Sequence, residues 1–185
     1  MIVGLTGRMA SGKGTLAEVL QEKGFVYHSL SDAIRTELSR RGLPETRGNL
    51  TDVGNDLRKE SGPGALAIRI LEECGDGHMH IVDSIRNPAE VDALRASKWD
   101  FVLICVEASL PVRYERLVAR GRVGDVTSLE QFRDQEEREL SSADPSTQQL
   151  IATEAKADHI VSNNKDIAAF KADVEELLSG LLGRS

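Results

Sequence analysis

The segment Gly7-Arg8-Met9-Ala10-Ser11-Gly12-Lys13-Gly14-Thr15 constrains this chain more than any other stretch. It follows an apolar run over residues 1–6 that reads as a buried strand of a parallel sheet. Leu16, Ala17 and Leu20 then recur at helical spacing. A glycine-rich turn between a buried strand and a helix sets successive backbone N–H groups around an anion, with the positive end of the helix dipole aimed at it. The spacing Gly7-x4-Gly12-Lys13 is the core of a Walker A loop. In such a loop Gly7, Met9, Ala10, Ser11, Gly12, Lys13, Gly14 and Thr15 surround phosphate oxygens, and Lys13 brings a point charge to the β and γ phosphates. The spacing alone also fits a glycine-rich turn that binds nothing; the strand before it and the helix after it favour the phosphate loop.

Beyond the loop, hydrophobic periodicity predicts strands over 25–30, 79–82 (ending in Asp83), 101–106 and 159–161, and helices between them. Helices are expected over 13–23, over 32–41 with Ser31 as N-cap and Gly42 beyond the end, and over 49–60 and 64–73. Others follow over 88–96, after Pro111, from Thr127 to the break at Asp144-Pro145, and over 167–182. Strands alternating with helices imply an α/β chain, a three-layer P-loop NTPase fold with a mostly parallel five-stranded sheet. No repeat or low-complexity linker divides it, so residues 1–185 are expected to form a single domain. That domain would hold a helical substrate-binding insertion at about 32–74 and a short lid at about 121–145.

Composition narrows the function classes. A formal net charge of -7 and a sequence pI near 5.2 disfavour DNA or RNA as a main partner, so any phosphate affinity must come from a local cluster of cations. Aromatic residues make up 4%, and no basic run is interleaved with them, which leaves no base-stacking platform. Cys74 and Cys105 lie in no Cys-x-x-Cys or Cys/His pattern and read as buried reduced thiols. His28, His78, His80 and His159 form no recognisable metal or nucleophile constellation. No apolar stretch reaches the roughly 18 residues of a membrane span, so a cytoplasmic protein is expected, monomeric or a weak homodimer, with a small phosphorylated acceptor as its partner.

The string Gly12-Lys13-Gly14-Thr15 resembles the loop of adenylate-kinase-type nucleoside monophosphate kinases, which commonly carry Gly after the lysine. The strings Gly4-Leu5-Thr6-Gly7 and Ala157-Asp158-His159-Ile160-Val161-Ser162-Asn163-Asn164 resemble dephospho-CoA kinases instead. Over nearly the whole chain, the arrangement is similar to uncharacterised archaeal nucleotide-kinase-like proteins and to a kinase-like domain joined to deoxycytidylate-deaminase-like domains. These resemblances imply ATP and Mg2+ as cofactors, with Thr15 supplying the hydroxyl near the metal. Asp83 at its strand end would act as a Walker B carboxylate or simply cap the strand. Asp83-Ser84-Ile85-Arg86 resembles the Asp-Gly-x-x-Arg segment of those kinases, shortened by one residue, and implies that Arg86 holds the acceptor phosphate together with Arg35. Asp32 is either an acceptor-hydroxyl base, by similarity to dephospho-CoA kinases, or a carboxylate favoured by the helix dipole.

Arg116 and Arg120 share a helix face at i and i+4. They resemble the arginine pair flanking the lid of adenylate kinases, which implies a catalytic role beside Lys13 and Asp83 in stabilising the transferring phosphoryl group; a solvated basic face is the alternative. Arg122 follows the pair directly, and Gly121 and Gly124 would hinge a closing segment in which Arg133 and Arg138 are weaker phosphate contacts. The acid-rich helix with Glu130, Glu136, Glu137 and Glu139 reads as a salt-bridged exposed surface, and Arg58, Lys59 and Glu60 as an exposed helix end. Asn163 and Asn164 sit where a loop can pack against the nucleotide base. The expected activity is transfer of the ATP γ-phosphate to a nucleoside or deoxynucleoside monophosphate. Dephospho-CoA kinase is the enzymatic alternative, and an ATP-binding regulatory module the alternative of another class.

Overall fold

Alternation within strand β1 (Ile2–Thr6) decides how the sheet is covered. In the computed structural model, which describes residues 1–121, 128–140 and 143–183, Ile2 packs into one hydrophobic cluster while Val3 and Leu5 pack into another. Strand β3 (His80–Asp83) divides in the same way, Val82 from Ile81, as does β4 (Phe101–Glu107), Leu103 from Ile104 and Val106. Both faces are apolar, as a parallel sheet clad by helices on two sides requires. With β2 (Val26–Ser29) and β5 (His159–Ser162), the order is β2-β3-β1-β4-β5. Every adjacent pair is parallel, so the expected mostly parallel sheet is wholly so.

On one face, α1 (Lys13–Glu22) meets α9 (Ile167–Leu182), whose Phe170, Val174 and Leu178 form an i, i+4, i+8 stripe. The other face carries α2 (Leu30–Arg41), α3 (Arg47–Ser61), α4 (Ala65–Glu73) and α5 (Pro88–Arg95). Helices α2 to α4 make up the long connection from β2 to β3. Helices α6 (Leu110–Arg120) and α7 (Leu129–Leu140) follow β4.

Three expectations are corrected here. Helix α2 begins two residues earlier than the pattern predicts: Ser29, not Ser31, is the N-cap, accepting a hydrogen bond from Ser31 N at 3.3 Å, so β2 runs straight into the helix. A short helix α8 (Leu150–Glu154) buries Leu150 and Thr153, and at five residues it is below the length at which periodicity is readable. Arg58 is not an exposed helix end. It is 1% exposed and bonds Glu90 Oε1 at 2.8 Å, while Glu90 Oε2 accepts from the backbone N–H of Arg86 and Asn87. The pair ties α3 to α5 inside the core. Of the expected lid, Gly121 ends α6 in the left-handed region (φ 52), whereas Arg122 and Gly124 lie outside the described residues.

Candidate functional site

The phosphate loop is held in shape by packing that only glycine allows. Gly7 has φ 127 and Gly12 φ 110, and a Cβ would sit 2.3 Å from Val106 O at the first and 2.0 Å from Asn163 Nδ2 at the second. Asn163 is buried at the end of β5, donates to Ser11 O at 2.8 Å and accepts from Arg116 at 3.0 Å. One amide thus fixes both the loop and an arginine of α6. Ala10 (φ 59) and Ser84 (φ 67) are non-glycine residues in the left-handed region, a conformation costing about 1–2 kcal/mol each. Both lie where the loop and the end of β3 face each other.

Between them opens a cleft of about 580 Å3 at the C-terminal ends of the central strands, where parallel α/β sheets place their ligands. Its cations follow the strand order. Arg35 sits on the helix after β2, Arg86 after β3, Lys13 after β1, and Arg116 and Arg120 on the helix after β4; all line the cleft. Lys13 Nζ donates to Gly7 O at 2.7 Å and Arg8 O at 3.0 Å, folded back on its own loop. Burial pulls its pKa down to about 8, Arg86 acts in the same direction, and Asp83 offsets part of the shift. Ser11 Oγ is buried in the loop without a hydrogen-bond partner. A lysine short of counter-charge, an orphaned hydroxyl and a concave backbone fit a polyphosphate.

Asp83, 9% exposed, accepts from Tyr27 OH at 3.0 Å and from Ser84 N at 2.5 Å. With Thr15 in the same cleft it provides hard oxygen donors of the kind Mg2+ takes. Burial, reinforced by Asp83, pushes the Tyr27 hydroxyl up to about 12, so it stays a donor to that carboxylate.

Glu139 of α7 overturns the reading of that helix as an exposed face. It is 3% exposed and accepts from Arg47 through both oxygens at 2.6 Å and from Arg86 at 2.5 Å. Glu136, one turn earlier, is also buried and pairs with Arg113, which further donates to Ala108 O at 2.9 Å and Met9 O at 3.3 Å. Phe132, Glu136 and Glu139 share one inward stripe at i, i+4, i+7, so the residues are salt-bridged as expected but on the buried side. Burial raises the Glu139 carboxyl; Arg86 and Arg47 outweigh it, and the net shift is downward. Burial also lowers the Arg47 pKa, with Arg86 adding to it. Arg47 opens α3, where a cation opposes the helix dipole, but the sequence pattern starts that helix at residue 49, so nothing local marked it as a partner of Glu139.

Four of the expected loop and binding residues do not line the cleft: Gly7 and Asn163 are packed behind the loop, so Asn163 braces it and offers no face to a base, and Asp32 and Asn164 line grooves of their own. Asp32 is exposed, pairs with Arg35 at 2.7 Å, and lines a separate groove beside β2, so the base role suggested for it has no support from its position. Asn164 accepts from Ser109 N at 2.7 Å and lines a third groove, on the β4 side, with Arg8 and Glu154. Arg35 also bonds Glu45 at 2.8 Å and remains exposed at the cleft mouth. Arg138 pairs with Asp52 at 3.0 Å on the surface, and Arg133 is exposed.

Known proteins place this geometry in context. Residues 3–141 match the AAA domain family. A UPF0200 protein of Methanosarcina barkeri is 35% identical, over 98% of this chain and 96% of that protein. Among solved structures, a shikimate kinase from Bacteroides thetaiotaomicron superposes with a TM-score of 0.62 at 17% identity, over 99% of this chain and 98% of the other. TT1252 from Thermus thermophilus gives 0.59 at 20% identity, over 100% and 97%. These structural likenesses establish a P-loop kinase-like fold. No helix among the described residues is long and apolar enough to cross a membrane. With its similarity running nearly end to end, the chain belongs to the UPF0200 family, and its residues 3–141 belong to the AAA domain family.

Proposed function

We propose that this protein transfers the γ-phosphate of ATP, with Mg2+, to a nucleoside or deoxynucleoside monophosphate. The observation that carries the reading is the ordering of cations along the sheet. Lys13, Arg116 and Arg120 cluster around β1 and β4 for the donor, and Arg86, Arg47 and Arg35 around β3 and β2 for an anionic acceptor. Arg86 would hold the acceptor phosphate, and Arg47 joins it through Glu139.

An acceptor phosphate oxygen attacks Pγ, the bond from Pγ to the bridging oxygen of ADP breaks, and Lys13 with the α6 arginines takes up the shifting charge. A phosphate monoester, with a second pKa near ~6, already carries a nucleophilic oxygen at neutral pH. No base is required, which accords with Asp32 lying outside the cleft. Asp83 and Thr15 would hold Mg2+, which would supply positive charge against the phosphates.

The test is ADP formation from MgATP across ribo- and deoxyribonucleoside monophosphates plus dephospho-CoA, with Lys13→Ala as control for contaminating kinases. Turnover that needs one monophosphate and disappears in Lys13→Ala is expected. ATP consumption independent of any acceptor, or phosphorylation of dephospho-CoA alone, would overturn the assignment.

A further inference from the structure

The sequence shows no metal-ligand pattern, yet the fold assembles one away from the phosphate cleft. His28 of β2, Cys74 at the C-terminal end of α4 and His80 of β3 bring one ligand atom each to within 4.8 Å of one another. This corrects the expectation that neither the histidines nor the cysteines form a constellation. They come together because β2 and β3 are hydrogen-bonded neighbours with Val26 opposite His80, and the turn after α4 feeds straight into β3.

Hydrogen bonding at the two rings turns one nitrogen of each towards the other. His80 Nε2 lies 3.0 Å from Gly75 O, and because a carbonyl only accepts, Nε2 carries the proton and Nδ1 is bare. That bare Nδ1 is 3.1 Å from His28 Nε2, while His28 Nδ1 is 3.7 Å from the Glu73 carboxylate. His28 Nε2 and His80 Nδ1 therefore face each other, and the Cys74 thiol lies beside both.

We propose that His28, Cys74 and His80 bind a Zn2+ ion, held between the two facing ring nitrogens and the thiol. In a tetrahedral site with Zn–N near 2.0–2.1 Å and Zn–S near 2.3 Å, neighbouring nitrogens sit ~3.3 Å apart and nitrogen and sulfur ~3.6 Å apart. The 3.1 Å nitrogen separation is already close to the first value, and the cluster needs only a small closure to reach the second. Metal-bound histidines characteristically donate their other N–H to a carbonyl or carboxylate, which are the roles of Gly75 O and Glu73 here. The Trp99 ring, with its centroid 5.2 Å from that of His80, supplies an apolar wall, and a groove lined by His28, Glu73, Asp32 and Glu37 gives a cation a route in from solvent. Binding exchanges the Cys74 thiol proton for a metal–sulfur bond, releasing one proton, and leaves the fourth position to water or another ligand. The ion would clamp the end of the α2–α4 connection to the sheet edge.

Untagged full-length protein, stripped with chelator, is titrated with Co2+ and then Zn2+. One Co2+ per chain is expected, with a near-ultraviolet thiolate-to-cobalt band that Zn2+ abolishes, that is absent in Cys74→Ala and that persists in Cys105→Ala. A metal at the phosphate cleft gives no such band, because no thiol lines that cleft. Absence of the band in wild type, or its survival in Cys74→Ala, overturns the proposal. Should Cys74→Ala fail to fold, His28→Gln carries the test: an unchanged far-ultraviolet spectrum with Co2+ affinity weakened at least tenfold supports the site, and unchanged affinity overturns it.

Discussion

Replacing Glu139 by Gln tests whether α7 neutralises the Arg47–Arg86 end of the cleft. The carboxylate is 3% exposed and joins Arg47 and Arg86, so the substitution keeps the shape and removes the charge that the two guanidinium groups share. Breaking a buried pair by removing one partner costs about 3–5 kcal/mol. For a chain of this length each kcal/mol shifts Tm by about 2–4 °C, so a fall of roughly 6–20 °C is expected in differential scanning fluorimetry at pH 7. Because the folded-state pKa of Glu139 is lowered from 4.5, its stabilisation is fully present above that value. It is lost as pH falls through the lowered pKa, and the gap between wild type and variant should shrink in the same window. Inorganic phosphate should restore Tm more in the variant than in wild type, since the anion replaces the missing charge. A Glu139→Gln protein melting within about 2 °C of wild type at pH 7, a shift no larger than a loss of about 1 kcal/mol produces, would refute the coupling.

Lys13 should take up a proton when ATP binds. Its folded pKa of about 8 lies below the ordinary 10.5, so below pH 8 the folded state bears the full cost of the buried charge, and the cost fades as pH rises through 8 towards 10.5. Triphosphate restores the counter-charge and raises the pKa, so calorimetry near pH 8–9 in buffers of different ionisation enthalpy should give different heats; identical heats contradict this. Gly12→Ala places a Cβ 2.0 Å from Asn163 Nδ2 at φ 110, and should cost about 1–3 kcal/mol of stability and at least tenfold in nucleotide affinity by equilibrium binding. Arg58→Ala removes the side chain paired with the fully buried Glu90 and should destabilise by about 3 kcal/mol in urea unfolding, with turnover per folded molecule unchanged because Arg58 does not line the cleft.

Much of the fold was readable because its signals are local. The apolar strand, the glycine-rich turn and the Leu16, Ala17, Leu20 spacing define the loop within a single short stretch, and each later strand or helix of ordinary length carries its own period. The elements that escaped are those whose meaning depends on a neighbour. Helix α8 is too short for a period, and the α2 cap shifted because β2 runs into the helix without a turn. Glu136 and Glu139 read as surface because charge patterning does not reveal which side of a helix meets Arg113, Arg47 and Arg86.

The sequence by itself determined that this chain is an α/β P-loop protein with a lysine at position 13 of its loop and further arginines after its other strands. Only the tertiary structure decided how those cations divide. The order β2-β3-β1-β4-β5 sends the helices after successive strands to different flanks of β1, and so separates Arg35 and Arg86 from Arg116 and Arg120. The same pairing of β2 with β3 sets His28 beside His80, 52 residues apart in the chain. Strand pairing and helix packing join residues with no sequence relation, because the free energy that selects them is apolar burial on both faces of the sheet, not any motif in the polar residues brought along with it.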